Sequence, residues 1–469
     1  MPANFLSNTV LYLIVTLGLF PGVIVGQAVA QTPPADEPYS LSYAAGGNDA
    51  QGNFLGGTEF MHVVAFNGML YGGLSYWEDV PGNDPNSHAQ IIVLNSYNGQ
   101  WQQEWLFYHP ASKGDVSATR VNSLDVVTFH SYDASGNVTG TYPPILAASL
   151  DTGFVFTQQS PGKWVNTLLP SSQGVRSTAT HLIPGDTTET FFAGVGTKNA
   201  PGTVSSVYNG TYDPSVPGQI SWNQQPEILA PQGGRVMSMV DCDGYLFAAV
   251  NPYIYRRNDQ TNSWEQFFTY ETANNNPDGS GFRALTCTNL SGGQLALMTG
   301  LEGPAGYIFT IDPQTGAGSI VVDTRKSLTK QWGGAPLAGL ITGYDYEDVT
   351  PVTSGPDTFQ LTGLSTESPI ANEQNAAWFL SCELNDYGCD FNSAQSTSQP
   401  PYWLFEVPAL PWPYSRSDTA LRSIRTIAVS PFPEDQGQVM YLGGYDARNE
   451  PAHNTAWLYR VGIDYALGR

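Results

Sequence analysis

A short β-hairpin pattern recurs along the chain and constrains the fold more than any other feature of the sequence. Residues 66–73 read FNGMLYGG, residues 242–249 read CDGYLFAA, and residues 438–445 read QVMYLGGY. Each copy precedes a loop and a further apolar strand. Such self-similarity is typical of folds in which one supersecondary unit is stacked or arranged around an axis. The chain is therefore expected to consist of repeated β-sheets.

Short runs of β-branched and aromatic residues, bounded by Gly, Pro, Asn and Asp, occupy most of the chain, and long helical periodicity is nearly absent. This pattern predicts an all-β fold, and the repeats predict a single β-propeller of four-stranded blades. Seven blades can be laid out, and six or eight remain alternatives. A strand near residues 40–43 or 457–460 would complete a blade and close the ring. The seven predicted blades begin near Glu59, Lys113, Arg176, Arg235, Arg283, Asp345 and Arg422.

Paired glycines give this layout a resemblance to a known architecture. Gly72 and Gly73, together with Tyr97 and Trp101 in the first unit and the glycine pair at 443–444 in the last, resemble the kelch-like and related seven-bladed β-propellers. The other predicted blades lack the double glycine. The resemblance therefore concerns the architecture, and no functional residues of a family are carried over.

The N-terminal residues resemble an export signal. A mostly apolar run at 10–25 is followed by Ala28, Val29 and Ala30, a small-x-small cleavage pattern. We expect a signal peptide over residues 1–30, a leader or ring-closing strand over 31–45, and a propeller over 46–469. No Lys or Arg precedes the apolar run, so a retained N-terminal anchor is the alternative. In either case the folded part is predicted to be secreted or extracytoplasmic, in the periplasm or at the cell surface.

The net charge of −23 excludes the basic surface that a nucleic-acid-binding protein needs to neutralise phosphates. An acidic surface instead favours solubility outside the cell. We therefore expect no nucleic-acid partner and, after cleavage of the signal, no membrane span.

Four cysteines are compatible with disulfide bonds in an oxidising compartment. Cys382 and Cys389 are predicted to close a short loop. Cys242 and Cys287 fall on innermost strands of successive predicted blades. The sequence leaves open whether that second pair cross-links the blades or remains as two buried thiols.

The predicted blade starts bring charged residues to one end of the ring. In this register Arg422 lies between Asp345 and Glu59 on adjacent blades, where ion pairs would satisfy its charge. We therefore assign these three residues a structural pairing.

Three consecutive cations, Arg176, Arg235 and Arg283, have no carboxylate at the matching position of the predicted register. Guanidinium groups bind carboxylates and sulfates through two parallel hydrogen bonds, so these residues predict an anion-binding arc, with Lys113 and Trp77 as further ligand contacts. The alternative is that each Arg bonds backbone carbonyls of the neighbouring blade and locks the ring.

Several potential acid–base groups fall opposite the arc in the same layout. Imidazole titrates near neutral pH, and Tyr can exchange a proton when nearby cations lower its pKa. The predicted group contains His88, His109, His130, His453, Tyr76, Trp77, Tyr445 and Asp446. The catalytic candidates among them are His88, His130, His453, Tyr76 and Tyr445. His62 and His181 lie inside predicted innermost strands, where a hydrogen-bonded structural role is expected.

No spacing typical of a zinc site occurs in the sequence, so no cofactor is predicted. Turn-like stretches at 82–86 and 274–279 offer oxygen ligands, which keeps Ca²⁺ as a weaker alternative to ordinary turns.

Three functions are compatible with these features. The first is a non-catalytic propeller that binds an acidic glycan or another small anion. The second is a lyase acting on uronate polysaccharides, in which an Arg neutralises the carboxylate and a His or Tyr transfers the proton. The third is a structural protein-interaction propeller. Because fold does not imply function, the sequence does not decide whether the protein is an enzyme.

Overall fold

The structure is a computed structural model, and nearly all of its regular structure is β-strand, so the predicted all-β class is confirmed. The regular exceptions in the described part of the chain are a 3-10 turn at Pro433–Asp435 and a helix α1 at Ile463–Ala466. None of the described helices is long and apolar enough to cross a membrane. The described residues are 38–76, 88–107, 117–196, 204–230, 233–270, 281–290, 293–302, 306–323, 341–344, 350–367, 378–383, 403–406, 421–447 and 454–469.

Three short strands precede the first four-stranded sheet. They are β1 (Ser40–Ala44), β2 (Gly47–Asn48) and β3 (Phe54–Leu55), of which β2 and β3 pair with each other. The first sheet is an antiparallel meander of β4 (Glu59–Phe66), β5 (Met69–Ser75), β6 (Gln90–Leu94) and β7 (Gln102–Leu106).

Four separate antiparallel sheets follow in chain order, and each runs outward from its first strand. The second sheet contains β8 (Val121–Val127), β11 (Ile145–Leu150), β12 (Phe154–Ser160) and β13 (Lys163–Leu168), and the hairpin β9 (His130–Tyr132) and β10 (Val138–Thr141) lies between its first two strands. The third contains β14 (Val175–His181), β15 (Thr190–Val195), β16 (Ser205–Tyr212), β17 (Ile220–Trp222) and β18 (Glu227–Ala230). The fourth contains β19 (Val236–Cys242), β20 (Tyr245–Val250), β21 (Tyr253–Asn258) and β22 (Ser263–Thr269). The fifth contains β23 (Phe282–Asn289), β24 (Leu295–Leu301), β25 (Tyr307–Ile311) and β26 (Gly318–Asp323).

The remaining strands belong to the same continuous sheet as the first meander. They are β27 (Ile341–Tyr344), β28 (Thr350–Ser354), β29 (Asp357–Glu367), β30 (Trp378–Glu383), β31 (Trp403–Glu406), β32 (Leu421–Val429), β33 (Val439–Ala447) and β34 (Trp457–Gly462). At the end of the chain the order is β32, β33, β34 and then β1, with Leu41 opposite Tyr459. The N-terminal strand thus covers the edge of the C-terminal strand.

The first strands of successive sheets lie side by side. β4 is next to β8, β8 to β14, β14 to β19 and β19 to β23, while β32 returns to β4. This ring of innermost strands is consistent with a β-propeller. The count of seven blades stays a prediction, because β29 pairs with β32 and β33 with β4, and hydrogen bonding does not separate blades there.

Apolar cores fill the spaces between neighbouring sheets. In one of them Tyr71 and Ile91 of the first sheet meet Leu124 and Phe156 of the second. Strands that face a core on both sides are buried almost throughout, as in β6, and therefore appear in the sequence as continuous apolar runs.

The glycine pair at residues 72 and 73 marks such a tight contact. A Cβ on Gly72 would lie 2.5 Å from the ring of Phe60, and one on Gly73 would lie 2.9 Å from Val121 of the next sheet. Only glycine leaves room for both neighbours.

A disulfide bond joins Cys242, at the end of β19, to Cys287 in β23, with the two Cα atoms 5.3 Å apart. It cross-links adjacent innermost strands and decides the alternative that the sequence left open. The predicted Cys382–Cys389 bond lies outside the described side chains.

Candidate functional site at the axis

A one-residue β-bulge lies near the start of five innermost strands, β4, β8, β14, β19 and β32. The strand pairing skips one residue after Phe60, Val121, Val175, Val236 and Ile424. A bulge leaves its extra residue unpaired and bends the strand. The bulged residues are Met61, Asn122, Arg176, Met237 and Arg425.

At three of these bulges the residue that follows fastens neighbouring innermost strands to each other. Ser177 Oγ donates to the carbonyl of Val236 at 3.1 Å, Ser238 Oγ accepts from Leu285 N at 3.0 Å, and Thr426 Oγ1 accepts from Val63 N at 2.7 Å. These hydroxyls satisfy backbone groups that the bulge would otherwise leave without partners.

The resulting register differs from the one expected from the sequence. Arg176 is equivalent to Asn122, Met237 and Arg425, whereas Glu59 lies two residues before its own bulge. The predicted equivalence of Glu59 with Arg176 is therefore off by two residues. Glu59 occupies the position of Arg120 and Arg235, two residues before the bulged residue, whereas Arg176 is itself the bulged residue.

A buried ionic cluster forms where the innermost strands begin. Glu59 is fully buried, and its carboxylate accepts hydrogen bonds from Arg120 Nη2 at 2.7 Å and Arg425 Nε at 3.2 Å. The guanidinium of Arg425 lies 4.5 Å from the ring centre of Tyr445, whose backbone pairs with Glu59. We call Glu59, Arg120, Arg176 and Arg425 the axial cluster.

The cations of the axial cluster keep the Glu59 carboxylate ionised. Burial by itself raises the pKa of the Glu59 carboxyl, yet Arg120, Arg425 and Arg176 outweigh this penalty and hold the pKa below its usual value. A full desolvation penalty is thus overcome by neighbouring cations. The cluster consequently stabilises the ionised form of Glu59.

A polar cavity of about 40 Å³ lies beside the cluster, lined by residues of strands β4, β8, β14 and β19. Its lining includes the bulged residues of three successive sheets and consists of His62, Asn122, Ser123, Asp125, Arg176, Ser177, Thr178, Met237, Ser238 and Met239. Arg176 belongs to both the cavity and the axial cluster. His62, expected to be structural, also faces this cavity.

Arg283, predicted to belong to the anion-binding arc, is paired with a carboxylate. Its Nε donates to Glu302 Oε2 at 2.9 Å, Nη2 contacts the same oxygen, and Nη1 lies 3.1 Å from Met237 Sδ. The sequence predicted no carboxylate near Arg283 because the predicted register compared only innermost strands. Glu302 comes from the next strand: it follows β24, whose end lies beside the start of β23. Arg235 is half-buried just before β19. Lys113 and Trp77 lie outside the described residues.

Arg120 and Arg425 were missed by the sequence prediction, which paired Glu59 with Arg422. Asp345 and the side chain of Arg422 lie outside the described part of the structure. The signal for the two missed residues was a Val-x-Ser repeat at 121–123, 175–177 and 236–238, with Ile-Arg-Thr at 424–426. Arg120 directly precedes one copy, and Arg425 is the middle residue of another.

The predicted group of acid–base residues is divided between the two ends of the sheets. His88 and Tyr76 lie at the end that holds Glu59, and both are buried. His88 Nδ1 is 3.4 Å from Ser117 Oγ. His130 follows the last residue of β8 and therefore lies at the opposite end, which corrects the predicted grouping. His109, His453 and the side chain of Asp446 fall outside the described residues.

At that opposite end one carboxylate orients both His130 and Tyr132. Glu189 contacts His130 Nδ1 at 3.1 Å and accepts from the Tyr132 hydroxyl at 2.8 Å. Burial, Glu189 and Asp241 raise the pKa of Tyr132 to about 12. Tyr132 is thus held protonated, and this group does not share a surface with the axial cluster.

His181 is buried among carboxylates, in keeping with the structural role expected for it. Its Nδ1 contacts Asp241, and its Nε2 lies 3.1 Å from Asp259 Oδ2. Burial alone lowers the pKa of His181, but the two carboxylates together raise it. Within the described residues no group of three or more His, Cys, Asp or Glu side chains could hold a metal ion. The turns at 82–86 and 274–279 lie outside them.

Known proteins add little to the fold assignment, which rests on the strand pairing of this chain. The sequence matches no protein-family model and no curated protein. Among solved structures, it is similar to the extracellular domain of a B. thetaiotaomicron protein described as a hybrid two-component system, at 12% identity over 90% of this chain and TM-score 0.46. The chain spans 39% of that protein's length.

Two further structures show a similar likeness. One is a chain of the mitotic checkpoint complex, at 11% identity over 95% of this chain and 100% of that chain, with TM-score 0.41. The other is a glycoside hydrolase family 43 β-1,3-galactosidase with galactodeoxynojirimycin, at 10% identity over 59% of this chain and 98% of that chain, with TM-score 0.32. At these scores the likenesses carry no argument about function.

Proposed function

We propose that the protein is an extracytoplasmic β-propeller that binds an anionic group, such as the carboxylate of an acidic glycan, at the axial cluster. The observation that carries the proposal is the convergence of Arg120, Arg176 and Arg425 on the buried carboxylate of Glu59 beside a polar cavity. Guanidinium groups in a desolvated site bind carboxylate and sulfate strongly, because their hydrogen bonds are charge-assisted.

Two features support a location outside the cytoplasm. The Cys242–Cys287 disulfide requires an oxidising compartment to persist. The predicted signal peptide, which lies outside the described residues, is consistent with the same location.

The lyase alternative is less well supported by the geometry. It requires an Arg and an acid–base residue on one surface, whereas His130 lies at the other end of the sheets from Arg176. His88 shares the correct end but is buried. Binding needs only the cations and the cavity, so it is the function that we propose first, although His62 lines the same cavity as Arg176.

Affinity electrophoresis in gels that contain polygalacturonate, dextran sulfate or neutral dextran tests the proposal. The net charge of −23 repels polyanions in general, so retardation by an acidic polymer would indicate a specific cationic site. We expect retardation by at least one acidic polymer and none by dextran. Arg176→Gln should weaken it about tenfold or more, because a hydrogen bond to a charged group is lost.

Arg256→Gln is the matched control, since Arg256 pairs with Glu265 on the fourth sheet and does not line the cavity. This variant should be retarded like the wild type, and melting curves should show that both variants are folded. Equal retardation of wild type and folded Arg176→Gln, or no retardation by any acidic polymer, would contradict the proposal.

A further inference from the structure

We infer, on the basis of the proposed function, that the axial cavity recognises a hydroxyl group next to the bound carboxylate, so that the ligand group is a hydroxycarboxylate such as a sugar acid. The inference rests on a hydrogen-bond donor and two acceptors that line the same small cavity. The donor is Arg176, and the acceptors are Asn122 and Asp125.

Asn122 provides the more specific of the two acceptors. Its Nδ2 donates to the carbonyl of Val175 at 2.9 Å, which fixes the orientation of the amide. The side chain is 4% exposed, and its Oδ1 is buried without a hydrogen-bond partner among the described residues. A buried acceptor is costly to leave unsatisfied, so this oxygen favours a ligand or a water that donates a hydrogen bond.

Asp125 provides the second acceptor, three residues further along β8. Its Oδ2 already accepts a hydrogen bond from Thr178 Oγ1 at 2.6 Å. A carboxylate oxygen has two lone-pair sites, so Asp125 retains capacity for another donor. The cavity wall thus offers acceptors on β8 and a guanidinium on β14.

The group on the ligand that donates a hydrogen bond to Asn122 is expected to be a neutral hydroxyl and not an ammonium group. Arg176 lies in the same cavity wall as Asn122, and like-charge repulsion from its guanidinium opposes an ammonium group beside Asn122. A hydroxyl can donate to Asn122 Oδ1 without adding positive charge.

The size of the cavity limits how much of a ligand can enter. A volume of about 40 Å³ is enough for roughly three water molecules. That space suits a carboxylate with an adjacent hydroxyl, and the cavity opens to the outside. The body of a larger ligand would remain outside, and its end group alone would be recognised.

Saturation-transfer NMR titrations of the full chain with glycolate, acetate and glycine at low ionic strength test the inference. Glycolate differs from acetate only by the hydroxyl, and glycine replaces the hydroxyl by an ammonium. We expect glycolate to bind about fivefold more tightly than acetate, the effect of one added hydrogen bond, and glycine to bind no better than acetate.

Asn122→Ala should abolish the difference between glycolate and acetate. Asn95→Ala, which changes an exposed amide of the first sheet, is the matched control and should keep the difference. If Asn122→Ala does not fold, propionate against lactate on the wild type repeats the comparison without a variant.

The outcomes distinguish the two proposals. Equal binding of glycolate and acetate, with both weakened by Arg176→Gln, would overturn the recognition of the hydroxyl but leave the anion site in place. A preference for glycine would also overturn it. Absence of binding by every probe, with no retardation by acidic polymers, would overturn both.

Discussion

Two buried charged networks occupy opposite ends of the sheets, and they differ in how their charges are compensated. In the axial cluster Glu59 accepts hydrogen bonds from two guanidinium groups and feels a third. In the second network, which we call the His181 network, Arg257 and His181 are surrounded by three carboxylates, those of Glu227, Asp241 and Asp259.

The His181 network is held by many directed hydrogen bonds. Arg257 Nε and Nη2 donate to Glu227 at 2.9 and 2.8 Å, and Nη2 also donates to Asn262 at 2.6 Å. Trp264 Nε1 adds a bond to the same Glu227 at 2.9 Å. Such saturated geometry is typical of a structural fastening between strands. The same residue types thus lock sheets together in the His181 network, whereas we propose that in the axial cluster they bind an anion.

The largest expected effect comes from removing the central cation of the His181 network. Arg257→Met leaves Glu227 buried and Asp259 half-buried without that partner, so we expect a loss of about 3–5 kcal/mol in the free energy of unfolding. Urea denaturation measures it. The neighbouring Arg256→Met should cost less than about 1 kcal/mol, because the Arg256 pair with Glu265 is partly exposed. Similar losses for the two variants would show that the network is not a buried fastening.

The next effect concerns the disulfide at the same end of the sheets. Cys242 follows Asp241 directly, and its bond to Cys287 closes a loop with a sequence separation of 45. Cys242→Ala combined with Cys287→Ala should lower stability by about 2–4 kcal/mol, since the unfolded chain gains freedom. A reducing agent should destabilise the wild type by a similar amount and leave the double variant unchanged. Insensitivity of the wild type to reduction would contradict this.

The smallest effect, and the sharpest contrast, is the opposite pH dependence of the two networks. The pKa of folded His181 is raised, so its stabilisation is complete below the unfolded value of about 6.5 and is lost as pH rises through the folded value. The pKa of folded Glu59 is lowered, so its stabilisation is present above the unfolded value of about 4.5 and is lost as pH falls through the folded value.

Unfolding free energies at several pH values check this contrast. The cost of His181→Gln relative to wild type should be larger at pH 6 than at pH 9. The cost of Glu59→Gln should be larger at pH 7 than at pH 3. Costs that do not change with pH would mean that the two groups titrate alike in folded and unfolded chains.

Much of the fold was predictable because it follows from local patterns. Turn residues and alternating apolar runs indicated the hairpins, and repeated hairpins indicated sheets around an axis. The sequence left open whether Cys242 and Cys287 form a disulfide or remain buried thiols. Cysteines on neighbouring strands bond only if the strands bring their Cβ atoms together, and the sequence does not give that distance.

The composition of the candidate site was less predictable. Arg176 and Tyr445 were among the residues expected at a site, and Glu59 was expected in an ion pair. Their partners Arg120 and Arg425 were not, because the predicted blade starts at Lys113 and Arg422 lie several residues before the positions that contact Glu59.

The sequence by itself determined that the chain forms repeated antiparallel hairpins, because hydrophobic period and turn chemistry act over a few residues. Only the tertiary structure decided which charges meet, since Glu59 and Arg425 lie far apart in the chain and come together when β33 pairs with β4. Charge compensation depends on distances of a few ångström between sheets, and a local pattern does not encode those distances.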